Sequence, residues 1–236
     1  MSRILLIRHG QASFGKERYD RLSRMGWRQA RILAAHLFQA GHTFDSVCAG
    51  ELERQQDTAQ AVLAHYDGRE RPLPPLETVP EFNEYPSRSI FLHYFPLAIR
   101  DNPSLEKNPE RLYKDRKAFQ RIFEAVVHRW IDDPAPPAEI LGWDDFRATV
   151  ASGMQKILQR NGRGSRIAVF TSGGAISAAV QTALGLSTEE TFRLAWMIRN
   201  ASVTEFLYDG ERVSLLSFNG TAHLELEGDP SVITYR

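Results

Sequence analysis

Three features of the sequence predict an α/β fold, a three-layer α/β/α sandwich with a mainly parallel sheet and a helical insertion. Short continuous apolar runs near both ends, Ile4-Leu5-Leu6-Ile7 and Ile167-Ala168-Val169-Phe170, have the character of strands buried on both faces. Each run precedes a segment with apolar residues at helical spacing, and alternation of this kind implies parallel strands with helices on the sheet faces. Eleven of the twelve prolines fall between Pro72 and Pro137, which sets the middle of the chain apart.

The elements follow in order. After the first strand, Ser23 is suited to cap a helix carrying Trp27, Ala30, Leu33, Ala34 and Leu37, and Gly41 stops it. Phe44 to Ala49 predicts a second strand, and Leu52, Ala59, Val62, Leu63 and Tyr66 predict a second helix. The proline-rich third is not expected to hold regular sheet, because proline lacks the ladder donor. It does contain helical patterns. Asn108-Pro109 supplies a cap and a first-turn proline for Leu112, Phe119, Ile122, Phe123, Val126 and Trp130. Phe146, Val150, Met154, Ile157 and Leu158 form another stripe. Residues from about 80 to about 145 are therefore expected to be a helical lobe inserted in a single domain spanning 1–236. After the Ile167 strand, Thr171-Ser172-Gly173-Gly174 turns into a helix from Ala175 to Leu184. Ser187-Thr188-Glu189-Glu190 is a capping box. Val203 to Tyr208 and Val213 to Phe218 flank Asp209-Gly210, a hairpin signal that makes the sheet mixed at one edge.

Composition narrows the functional classes. With 236 residues, 42% hydrophobic and 25% charged, the chain has the balance of an ordinary globular protein. Lys+Arg and Asp+Glu are both 29, so nothing favours general binding to nucleic acid or anionic membranes, and an anion site must come from a few local arginines. The single cysteine, Cys48, cannot form an internal disulfide and reads as a buried small hydrophobe, so a reducing, cytoplasmic setting is expected. The apolar run at the N-terminus is too short for a signal peptide or a membrane span. No His/Cys/Asp cluster has metal-ligand spacing, and neither a metal nor a cofactor is expected.

The chemistry-bearing residues gather around Arg8-His9-Gly10, directly after the first buried strand. The carboxyl ends of strands in open α/β sheets are where ligands bind. A histidine nitrogen there can take a phosphoryl group covalently, an adjacent arginine offers paired donors to phosphate oxygens, and a glycine admits close backbone approach.

LLIRHGQAS at 5–13 resembles the opening signature of the histidine phosphatase superfamily, which includes phosphoglycerate mutases and many phosphatases. The resemblance continues in order along nearly the whole chain. Leu52-Glu53-Arg54-Gln55-Gln56-Asp57-Thr58-Ala59 is similar to the family's L-x-R-x-x-x-T-A helix, and Val79-Pro80-Glu81-Phe82 to its following L-x-E segment. Phe170-Thr171-Ser172-Gly173-Gly174 aligns with a turn that usually reads S-H-G-G, and Asn200-Ala201-Ser202-Val203-Thr204 with an N-x-S-x-T strand entry.

The resemblance implies that His9 is the nucleophile. Arg8, Gly10, Arg54, Ser172 and Gly173 would bind the phosphoryl group of a small phosphorylated substrate. Glu81 would protonate the leaving oxygen. Glu84, three residues on in the same Pro-bounded loop, is a rival acid that spacing alone does not separate from Glu81, although the family pattern favours Glu81. Ser172 stands where the family has a second histidine. Loss of that charge-assisted donor should cost about 3 kcal/mol, partly offset by the open amides of the helix start at Gly173 and Gly174. His223 and His93 are the histidines that could substitute for it.

The expected reaction is hydrolysis of a phosphomonoester through phosphohistidine, weakened or specialised by the serine, with mutase activity less favoured. A non-catalytic phosphate-binding module of the same fold is the alternative from another class. A serine hydrolase built on Ser172, Asp209 and His223 follows the chain order of α/β-hydrolases. It lacks the glycine two residues before the serine, and the hairpin turn already accounts for Asp209. Phe91, His93, Tyr94, Phe95 and Arg100 either line a pocket or pack the lobe, packing being the commoner use of aromatics. The sequence leaves substrate identity and oligomeric state open.

Overall fold

The computed structural model describes residues 1–13, 20–105, 115–210 and 212–235. It divides into two compact units, one of 1–84 with 149–236 and one of 85–148.

The first unit is built on a six-stranded sheet. Its strands are β1 (Ser2–Arg8), β2 (Ser46–Ala49), β3 (Leu76–Thr78), β4 (Arg166–Thr171), β5 (Val203–Tyr208) and β6 (Val213–Gly220), in the spatial order β3-β2-β4-β1-β5-β6. The pairs β3–β2, β2–β4 and β4–β1 are parallel, and β5 and β6 are antiparallel. The sheet is thus mainly parallel and mixed at one edge, as predicted. Along β1 and β4 both faces are buried. Leu5, Ile7, Ala168 and Phe170 face a core with helix α1 (Arg24–Gln39) and helix α2 (Glu53–Asp67), while Ile4, Leu6, Ile167 and Val169 are fully buried on the other face. This is why those runs are continuous rather than alternating.

Ser23 caps α1 as expected, its hydroxyl accepting from the Gly26 amide. Gly41, at φ +72°, adopts the left-handed conformation that glycine tolerates best. Trp27 departs from the predicted apolar stripe, since it is 36% exposed. β2 begins at Ser46, two residues later than expected. Cys48 is completely buried, and burial pushes its thiol up.

One expectation fails in the proline-rich third. Leu76–Thr78 pairs in parallel with Val47–Ala49 and forms a sheet edge. Pro75 and Pro80 bracket this strand rather than interrupt it, so no ladder donor is lost.

The second unit contains α3 (Ser87–Asp101), α4 (Arg116–Ile131) and the start of α5 (Trp143–Asn161). The predicted cap Asn108-Pro109, with Leu112, lies outside the described residues; the described helix is capped by Asp115, whose carboxylate accepts from Lys117 and Ala118 amides. Helix α3 was not anticipated. Pro96 sits within it and no side chain caps it, which hides Ile90, Tyr94 and Ala98, its buried stripe. Phe91 stacks on Phe95, Phe119 and Phe123, and the Tyr94 hydroxyl donates to Asp133 at 2.8 Å, so this cluster packs α3 on α4.

Helix α6 (Gly173–Leu184) follows β4, and α7 (Thr188–Ala195) opens with the predicted capping box at Ser187 and Glu190. A short helix α8 (Ala222–Glu225) follows β6.

Candidate active site

The four parallel strands deliver the candidate residues to their shared carboxyl ends. His9 directly follows β1 and Ser172 directly follows β4. Because Arg8 pairs with Thr171, the two turns are neighbours, and the His9 amide donates to the Thr171 carbonyl at 2.9 Å. The loop after β2 opens α2 with Arg54 and Gln55, and the segment after β3 carries Glu81 and Glu84.

Helix α1 packs on the turn after β1 at a distance only glycine permits. A Cβ on Gly10 would lie 2.5 Å from the Gly26 carbonyl oxygen, and one on Gly26 would lie 2.2 Å from the Gln11 carbonyl oxygen. Both obstacles are backbone and cannot swing aside. Gly26→Ala is expected to destabilise the fold by about 1–3 kcal/mol, read as a fall in melting temperature; unchanged stability would contradict this packing.

His9 is 5% exposed, and contacts on both ring nitrogens define its tautomer. Nδ1 lies 2.6 Å from the Gly10 carbonyl oxygen, which can only accept, so Nδ1 carries the proton. Arg54 Nε, which can only donate, lies 3.0 Å from Nε2, so Nε2 presents a lone pair. Burial, then the Arg54 charge, then the Arg8 charge hold the imidazole well below its ordinary value of 6.5. His9 is therefore a neutral base at neutral pH and loses that form only when acid passes the lowered value. Nitrogen-15 NMR of the free protein at pH 6.5 should show His9 neutral and Nδ1-protonated. A half-protonated ring at that pH would contradict the site.

The backbone of His9 is held equally firmly. Its carbonyl accepts from the Ala201 amide and from Asn200 Nδ2, both at 3.2 Å, and the Gly10 amide donates to Thr58 Oγ1 at 3.1 Å.

Arg54 is 7% exposed, so it is not a solvated helix charge. Asp20 orients it by accepting from Nη1, and the other Asp20 oxygen accepts from the Glu53 amide at 2.8 Å. A carboxylate of the chain thus occupies the start of α2. Arg8 donates through Nη1 to the Ile198 carbonyl, and its guanidinium carbon would be 3.7 Å from a Cβ on Gly173. Arg8, His9, Arg54 and Gly173 are in this way linked through contacts of the same turn cluster.

Ser172 is fully buried and is the N-cap residue of α6, but its hydroxyl does not cap the helix. Gln55 Nε2 donates to it at 2.8 Å. The Gly174 amide, expected to be open to an anion, donates to Glu84 Oε2 at 3.2 Å. Glu81 is placed differently. Its Oε1 accepts from Lys156 Nζ of α5 at 3.0 Å, and that bond holds its carboxyl below the usual range. Its Cβ would be only 2.8 Å from a Cβ on Gly153.

Of the candidate substitute histidines, His223 does not join the cluster, and His93 belongs to the second unit. His223 is buried, its ring stacked 5.2 Å from His36 and its Nε2 3.0 Å from the Ala201 carbonyl, and burial lowers it to about 4. His93 is exposed on α3 beside Tyr94. The serine hydrolase arrangement is not assembled either. Asp209 caps the hairpin turn, accepting from the Arg212 amide at 2.9 Å, and β5 runs antiparallel to β1, so that turn lies at the opposite end of the strands from Ser172. Among the described residues no group of His, Cys, Asp and Glu side chains could hold a metal ion, and no helix is long and apolar enough to cross a membrane.

Asp20 and Gln55 are the site residues that sequence reasoning passed over. Gln55 carried one signal, a polar side chain directly after Arg54 in the helix that bears the motif.

Comparison with known proteins gives a consistent picture. The structure is similar to a phosphoserine phosphatase variant from Entamoeba histolytica in complex with phosphoserine (TM-score 0.64, 18% identity, covering 95% of this chain and 100% of that one). It is similar also to phosphoglycerate mutase from Bacillus anthracis (TM-score 0.65, 17% identity, 97% of each chain). A third is a mycobacterial glucosyl-3-phosphoglycerate phosphatase (TM-score 0.61, 18% identity, 93% of this chain and 99% of that one). At these identities the likeness establishes the fold. No curated protein matches the sequence. The family profile described as histidine phosphatase superfamily (branch 1) matches residues 4–86 and 110–221, and the chain belongs to that superfamily.

Proposed function

We propose that this protein is a metal-independent phosphatase that hydrolyses small phosphomonoesters through a phosphohistidine at His9. The observation that carries the reading is the neutral His9 ring with its proton on Nδ1 and the lone pair of Nε2 met by Arg54. In the first step Nε2 attacks phosphorus, the bond to the ester oxygen breaks, and a carboxylic acid gives its proton to the departing alkoxide. Water then attacks phosphorus, the carboxylate takes its proton, and the P–N bond breaks to release phosphate. Arg8 and Arg54 neutralise charge on the equatorial oxygens in both steps.

Glu84 is assigned as the acid, reversing the preference for Glu81. A general acid must first reach the reacting group. Glu81 is turned to an ion pair with Lys156, whereas Glu84 reaches the α6 turn that carries Ser172 and Gly173, so position selects Glu84. Mutase activity requires the phosphohistidine to outlive product rebinding, and Ser172 adds no charge that would favour this. A phosphomonoester is also the shared chemistry of the phosphorylated compounds in the names of the structural neighbours. The lone buried thiol fits a cytoplasmic setting.

The test is phosphate release from a panel of phosphomonoesters in the presence of a chelator, with orthovanadate as inhibitor. Vanadate-sensitive, chelator-resistant release is expected. Tight phosphate binding with no release would favour the non-catalytic module, and release abolished by the chelator would sink metal independence.

A further inference from the structure

We infer that Gln55 is a positioning residue that leaves the Ser172 hydroxyl with its proton aimed at the phosphoryl group, so that the Gln55–Ser172 pair supplies the donor the second histidine would have given. The inference rests on the phosphomonoester reading above and names how that site is completed.

The orientation of the Gln55 amide follows from its partners. Nε2 donates to the Phe82 carbonyl oxygen at 3.1 Å and to Ser172 Oγ at 2.8 Å. Phe82 O can only accept, and it also receives the Thr171 hydroxyl at 2.7 Å, so the amino end of the amide must face it. Gln55 is fully buried and packs closely on Gly50, where a Cβ would come 2.1 Å from its Oε1.

A serine hydroxyl has one proton and two lone pairs. With a lone pair of Ser172 Oγ taken by the Gln55 N–H, the proton must point elsewhere, and no hydrogen bond among the described residues uses it. The adjacent Thr171 makes the opposite choice and gives its proton to Phe82 O. Ser172 stands at the start of α6, one residue from Gly173, against which the Arg8 guanidinium lies, and Thr171 accepts the His9 amide. Its proton is therefore presented beside the nucleophile. A hydroxyl that accepts a bond is also a better donor, because successive hydrogen bonds polarise one another. Unlike an imidazole, this donor keeps its proton throughout the working pH range.

A double-mutant cycle tests the pairing, with 4-nitrophenyl phosphate for turnover and orthovanadate for binding by calorimetry. Gln55→Met is expected to lower kcat about tenfold, with KM changed less than about twofold, and to weaken vanadate similarly. Ser172→Ala should cost about 10–100-fold. In the Ser172→Ala background, Gln55→Met should add less than about twofold, because its effect passes through the hydroxyl. Ser172→Thr, which keeps the hydroxyl, should recover most of the rate. Gln55→Glu, equal in size but offering a carboxylate that takes the serine proton, should lose at least as much as Gln55→Met; it also serves as the readout should Gln55→Met fail to fold. Additive losses, or a folded Gln55 variant with unchanged kcat and vanadate affinity, would overturn the inference. If the wild type binds vanadate but releases no phosphate, the phosphatase reading fails while the binding cycle still decides the role of Gln55. If the wild type neither binds vanadate nor releases phosphate, both fail.

Discussion

His9→Ala is expected to lower kcat for phosphomonoesters by about 10⁴-fold or more, with little change in folding. The loss should be large because in the proposed mechanism the ring holds the phosphoryl moiety covalently, and without it one displacement must do the work of two. Folding should survive because the backbone of residue 9, not its ring, makes the structural contacts: the amide to Thr171, and the carbonyl to Ala201 and Asn200. Arg54 loses the acceptor of its Nε, but Asp20 still holds its Nη1. The measurement is kcat beside a thermal melt. A folded variant retaining more than about a tenth of wild-type turnover would remove His9 from the reaction.

Glu84→Gln is expected to reduce kcat on alkyl phosphates by about 10²–10³-fold and to act far less on 4-nitrophenyl phosphate. An alkoxide needs a proton to depart, whereas nitrophenolate leaves without one, so the contrast between leaving groups isolates proton donation from any structural effect. The amide of glutamine can still accept from the Gly174 amide, which preserves the contact seen for Glu84 Oε2. Glu81→Gln should lose its ion pair with Lys156 and leave both substrates near the wild-type rate. A large, leaving-group-dependent loss in Glu81→Gln, with Glu84→Gln unaffected, would return the acid to Glu81.

How far the sequence reveals this molecule depends on the range of the interactions. β1 and β4 were legible because strands buried on both faces are continuous apolar runs. The β5–β6 hairpin was legible because Asp209-Gly210 specifies a tight turn between apolar strands. Ser23 and Ser187 were legible because caps bond within three residues of themselves. Helix α3 was hidden by Pro96, and β3 by being three residues long between prolines, features whose local signal opposes the tertiary outcome.

The site divides in the same way. His9, Arg8 and Arg54 could be proposed because they sit at strand and helix ends within recognisable motifs. Asp20 reaches Arg54 across 34 residues and Gln55 reaches Ser172 across 117, and no periodicity encodes such a contact. Glu81 and Glu84 are three residues apart in one loop, and what distinguishes them, Lys156 for one and the α6 amide for the other, comes from distant parts of the chain. His223 looked available in the sequence, but its burial against His36 removes it from the cluster.

The most direct test of the central claim is to mix the protein with a phosphomonoester, quench in alkali within milliseconds, and map the bound phosphate by mass spectrometry. Alkali preserves a P–N bond to imidazole. Phosphate on His9 that builds up and then decays with turnover is the predicted result. Sustained phosphate release with no label on His9 at any time point would contradict it.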